Sequence, residues 1–173
     1  MEPTLFPYQR QAAVAYAHRW AYARNPAYLD FDPYGGDCTS FVSQCVYAGS
    51  GVMNNRMTFG WYYHTAADRT PSWTGVPYFF NFLTRKERSP GPVAAVTAIG
   101  ECLPGDCVQL SFDGERFAHT AVIVSVSHPA EPETTLVAAH SDDADNRPLS
   151  TYPAKKLRFL HILGVVGAES PLV

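Results

Sequence analysis

Apolar residues recur at helical spacing in the first fifty positions and at strand spacing after position 106, so the chain is expected to place its helices before its sheet. The first helix reads from about Tyr8 to Arg24, with Ala13, Tyr16, Ala17 and Trp20 on its apolar face, and Asn25-Pro26 stops it. Gly35-Gly36-Asp37 then breaks the chain. A second helix follows from Cys38, with Phe41, Val42, Cys45 and Val46 on one stripe, Asp37 at its N-cap and Gly49-Ser50-Gly51 at its end. The pattern between residue 52 and about Glu101 is poorer and strongly aromatic; it predicts a short helix near Tyr78 to Arg85 and another before Gly100. Strands are predicted at 107–112, 116–127, 134–140 and 157–165. The first two, joined through Asp113-Gly114, read as a hairpin, and the second is apolar on both faces, as a central strand would be.

The second helix opens on a thiol. A cysteine at a helix N-terminus is expected to be half exposed and close to unpaired backbone amides, which favour the thiolate and can hold an oxyanion. Cys38 is therefore a candidate nucleophile, although a capped structural helix could begin in the same way. His119 lies near the start of the second strand of the hairpin. It is either a satisfied strand histidine or the general base for that thiol.

The stretch Gly-Gly-Asp-Cys-Thr-Ser-Phe-Val-Ser-Gln-Cys at 35–45, the Leu103-Pro104-Gly105-Asp106 turn, the His119 strand and His140-Ser141-Asp142 resemble the bacterial putative amidase domain of the papain-like cysteine hydrolases. That group is similar to cell-wall endopeptidases. The resemblance runs from about Ala13 to Val166 and implies one α+β domain over residues 1–173, with N-terminal helices, the cysteine helix among them, packed on an antiparallel sheet that carries the histidine. It implies an amide or peptide hydrolase acting through a thioester, with peptidoglycan-type peptides as a substrate class. Cys38 would attack the carbonyl, and His119 would take the thiol proton and return it to the leaving amine. The Cys38 backbone amide is the expected oxyanion donor; Tyr34 is the nearest upstream hydroxyl for a second, and Asn25 a weaker choice.

A third residue is expected to orient the imidazole. If strands 116–127 and 134–140 pair with Ser127 opposite Thr134, Ala121 faces His140 and His119 faces Asp142, so both His140 and Asp142 share the face of His119. A one-residue slip would reverse this. The resemblance favours His140, with Asp142 as the alternative; both are otherwise surface residues of a polar turn over 141–146. Trp61, Trp73 and Tyr34 are candidate cleft residues, although aromatic rings beneath long loops also fill cores.

Composition narrows the alternatives. With 173 residues, 46% hydrophobic and 17% charged, the chain can bury a substantial core without disulfide staples. A net charge of −3 without a basic run gives no reason to expect nucleic acid, and no apolar stretch approaches the ~20 residues of a membrane span. No signal peptide is visible at the start, which leaves a cytoplasmic protein or an exported one lacking its leader. The oligomeric state is not legible. Cysteines 38, 45, 102 and 107 lack the tight pairs of a metal site or of C-x-x-C redox chemistry, so neither a metal nor a cofactor is expected. Cys45 falls on the apolar stripe and reads as an inert buried thiol. Cys102 and Cys107 read as small buried hydrophobes, a disulfide requiring Cβ atoms within about 4.5 Å. Two other functions share the features: a silent papain-like binding module, and an acyltransferase that passes the thioester to an amine.

Overall fold

The computed structural model describes residues 4–168. Helices α1 (Arg10–Trp20), α2 (Cys38–Ser50), α3 (Pro71–Thr74) and α4 (Val76–Leu83) precede most of a seven-stranded antiparallel sheet. Its strands are β1 (Leu5–Phe6), β2 (Gly91–Thr97), β3 (Cys107–Ser111), β4 (His119–Val126), β5 (Thr135–Ala139), β6 (Ala144–Pro148) and β7 (Lys156–Val166). The order is β1-β7-β3-β4-β5-β6, with β2 also paired to β7. This is the α+β architecture expected, and β4 is central, flanked by β3 and β5.

Side-chain alternation along the strands divides the core in two. Cys107, Val122, Val124, Ala138, Leu160 and Ile162 face the helices and pack with Ala13, Ala17, Phe41, Val42, Cys45 and the buried tryptophans. Val108, Leu110, Ala121, Ile123, Val137 and Phe159 face the other way into a smaller cluster closed by Cys102 and Leu149. The second helix ends where expected, with Gly51 in the left-handed conformation at φ 66° and its amide bonded to the Tyr47 carbonyl.

The aromatic middle and the margins differ from expectation. Residues 91–97 form β2 rather than a helix before Gly100, because pairing along β7 satisfies a backbone whose Val-Ala-Ala-Val pattern is ambiguous on its own. The polar 144–148 segment is edge strand β6 rather than part of a turn. The first helix stops at Trp20, short of Asn25-Pro26. All four cysteines are free and buried. Among the described residues, no helix is long and apolar enough to cross a membrane.

One irregularity positions the site. Val126 pairs with Thr135 and Ser125 with Leu136, as the expected register requires, but Ile123 pairs with Val137 and Val122 with Ala138. Val124 is thus an extra residue, and the bulge shifts the rest of the ladder by one. The slip reverses the expected sidedness. His140, just beyond β5, lies on the helix side with its ring stacked on Phe41 at 3.9 Å between centroids, whereas His119 shares the opposite face with Ala121 and Ile123.

Candidate active site

Cys38 is the first residue of α2, entered through Gly35 (φ 112°) and Gly36 (φ 122°). These angles are open to glycine and strained for other residues, so the sharp approach to the helix depends on them. The thiol is buried rather than half exposed: Cys38 keeps 9% of its surface. Burial pushes its pKa above the ordinary thiol value, while the Thr120 backbone amide and the Thr39 hydroxyl, 3.7 Å from Sγ, pull it down. What exposure Cys38 has faces a cavity of about 560 Å³, walled also by Gly35, Gly36, Pro77, Phe117 and Arg158.

Asp37 occupies the N-cap position, yet its carboxylate makes no cap bond to the helix. Oδ1 accepts the Phe31 amide at 2.9 Å, and Oδ2 lies 2.6 Å from Nδ1 of His140. Nε2 of His140 lies 2.8 Å from the Trp20 carbonyl oxygen and 3.2 Å from Nη1 of Arg24, so both ring nitrogens are engaged. Arg24 spans Asp32 (2.6 Å) and Asp143 (2.9 Å), and Ser141 donates to Asp32 and accepts the Asp37 amide. This network ties the start of the cysteine helix to the end of α1 and to the turn after β5.

His119 is the first residue of β4, one position before the Thr120 amide that touches the thiol. Its ring is buried beside Tyr152 (5.8 Å between centroids) and Phe112 (6.4 Å), and its Nε2 has no hydrogen-bond partner. Burial first, and then the charge of Arg147, push its pKa down to about 4, against the pull of Asp142. The ring is therefore neutral at pH 7. Among the described residues no hydrogen bond joins it to the Cys38 thiol.

The other expected site residues divide. His140 lies on the helix side and binds Asp37, so the alternation argument that put it beside His119 fails at the bulge. Asp142 is near enough to act on the charge of His119 but bonds Arg147, at 3.5 Å, and not the histidine. Trp61 and Trp73 do not line a cleft: both are 0% exposed, packed together at 4.8 Å in the core, where the loops between α2 and α4 need large rings beneath them. Tyr34 is 73% exposed and sits on the rim of a separate shallow cavity with Gly35, Gly36 and Arg69.

Arg158 had no sequence signal, because a cation in a Lys-Lys-Leu-Arg-Phe strand reads as an ordinary exposed charge. Its guanidinium lies between the rings of Phe80 (3.5 Å) and Phe117 (4.0 Å), and its Nε and Nη2 donate to Gln109 Oε1. The Leu-Pro-Gly-Asp turn serves as an anchor: buried Asp106 binds Arg10 (2.7 Å), His161 (2.7 Å) and the amides of Leu103 and Ile162.

A helix-opening cysteine thus packs on an antiparallel sheet whose central strand opens with a histidine. Residues 7–163 match the family described as "Putative amidase domain", and the chain belongs to that family. It is also 32% identical over 168 residues to the "Uncharacterized protein YhbB" of Bacillus subtilis (strain 168), covering 91% of this chain and 51% of that protein. The chain thus spans about half the length of that relative. No solved structure matches it.

Proposed function

We propose that this protein is a cysteine-dependent amide or peptide hydrolase of papain-like type. Its family description supports amide hydrolysis at a coarse level. The observation that carries the finer reading is the thiol of Cys38, set at a helix start on the wall of an open cavity and bonded by the amide of Thr120, the residue that follows His119 in the chain. Cys38 Sγ attacks the amide carbon as its proton passes to His119; the proton then goes to the leaving amine, and water hydrolyses the thioester to a carboxylic acid and regenerates the thiol. The amide of Cys38 stabilises the oxyanion.

In the resting arrangement both partners are neutral, so the pair is activated on substrate binding rather than stored as thiolate and imidazolium. The transfer requires the His119 ring to turn about its Cα–Cβ bond toward the thiol. Nε2 has no partner to lose in that turn, and the rings of Tyr152 and Phe112 that lie against His119 must give way to it. His140 and Asp37 hold the helix start, and Asp142 acts on the charge of His119 from the loop. Peptidoglycan-type peptides are a substrate class consistent with this reading.

The test is amine release from a panel of acetylated peptide amides, with and without prior iodoacetamide and with an added amine acceptor. Iodoacetamide-sensitive release that is lost in Cys38→Ala and in His119→Ala supports the hydrolase. A new amide formed with the acceptor would indicate acyl transfer, and binding without turnover would indicate the silent module.

A further inference from the structure

Most charged groups around the site are answered by a partner: Arg24 by Asp32 and Asp143, Arg10 by Asp106, Arg147 by Asp142. Arg158 is not. Among the described residues no carboxylate pairs with it, and Glu115, exposed on the same cavity wall, makes no bond to it. Burial alone lowers its pKa, with no anion raising it. Of the five N–H groups of a guanidinium, two go to the neutral oxygen of Gln109, which leaves the remainder for an incoming acceptor.

The arginine is nevertheless held firmly. Phe80 and Phe117 lie against it, and the Gln109 amide cannot turn away, because its NH2 donates to the Val76 carbonyl (2.9 Å) and to Thr120 Oγ1 (3.3 Å). Gln109 and Thr120 are fully buried. The Thr120 hydroxyl in turn lies 3.1 Å from that of Thr39, beside Cys38. A chain of buried hydrogen bonds therefore fixes the guanidinium relative to the thiol, on the wall of the same cavity.

We propose that Arg158 is a substrate-binding residue that receives a carboxylate, so that the amides this site takes are acidic peptides. The proposal rests on the hydrolase reading for the substrate, and for the anion on the guanidinium of Arg158, fixed at the cavity wall and unpaired with a carboxylate among the described residues. A planar carboxylate meets the guanidinium edge with charge-assisted bonds that a carboxamide cannot match.

Binding is measured by calorimetry in Cys38→Ser protein, which is not consumed by turnover, with three acetylated peptides: Ala-Gln-Ala amide, Ala-Glu-Ala amide, and Ala-Gln-Ala with a free C-terminus. One of the two carboxylates is expected to bind about tenfold tighter than the neutral peptide, and which one does so separates a side-chain from a terminal carboxylate. Arg158→Gln should erase the preference and Arg158→Lys retain part of it, with melting temperatures checking that both variants fold. Equal affinities for all three, no measurable binding of any, or a preference that survives Arg158→Gln would each overturn the proposal. If the protein proves to bind without hydrolysing, the carboxylate preference is still read by this assay.

Discussion

His119 is held neutral by burial, and this has a measurable cost in acid. Its pKa falls from the ordinary 6.5 to about 4 in the folded protein. The folded state therefore resists a proton that the unfolded chain accepts, so stability is intact above pH 6.5 and is lost as pH falls toward 4. From these two values the loss is about 1 kcal/mol at pH 6, about 2 at pH 5 and about 3 at pH 4. An imidazolium paired with a Cys38 thiolate would do the opposite, with a raised pKa and stability lost as pH rises. Urea unfolding followed by tryptophan fluorescence, at pH 7 and at pH 4, in the native protein and in His119→Gln, isolates the effect, because the carboxylates contribute equally to both. The native protein should lose about 3 kcal/mol more than the variant. A difference below about 1 kcal/mol, or one of opposite sign, would refute the neutral buried histidine.

Iodoacetamide should label Cys38 alone in the native protein, since Cys45, Cys102 and Cys107 are sealed in the core; peptide mapping that finds another cysteine labelled first contradicts this. Cys45→Ser buries a hydroxyl among apolar side chains and should cost about 1–3 kcal/mol, whereas Cys38→Ser, at the cavity wall, should cost under about 1; chemical denaturation compares them. His140→Ala removes the buried ring bonded to Asp37 and should destabilise by about 1–3 kcal/mol, a loss visible in unfolding curves even before activity is measured.

The parts of the fold legible in the sequence were those whose local pattern and tertiary setting agree. Cys38 to Gly51 carries a break, a stripe and a left-handed stop in order, and the hairpin through Asp113-Gly114 carries two apolar runs about a turn; both formed within a residue or a few of their expected ends. Residues 91–97 and 144–148 became strands through partners distant in sequence, which no local period announces. At the site, the chain order placed Cys38 and His119 on neighbouring elements, but the relation of His119 to His140 hung on parity across a ladder. Nothing in the run Val-Ile-Val-Ser-Val shows that one residue of it bulges. Asp37 was read as a cap because its spacing is right; the buried imidazole that claims its carboxylate comes from a hundred residues away. Trp61 and Trp73 went to the core because the helices leave a void there that only large rings fill.

The bulge at Val124 also limits how this fold can vary in length. Removing that one residue would force one half of β4 to rotate by a strand's worth of parity. If the first half turned, Thr120 would leave Thr39 and Gln109, and His119 would swing under the helices into space that His140 and Phe41 already fill. If the second half turned, Val126 would exchange the smaller cluster for the helix side. Neither can happen piecemeal, so insertions and deletions among relatives should collect in the exposed connection between β4 and β5, with the strand itself constant in residue count.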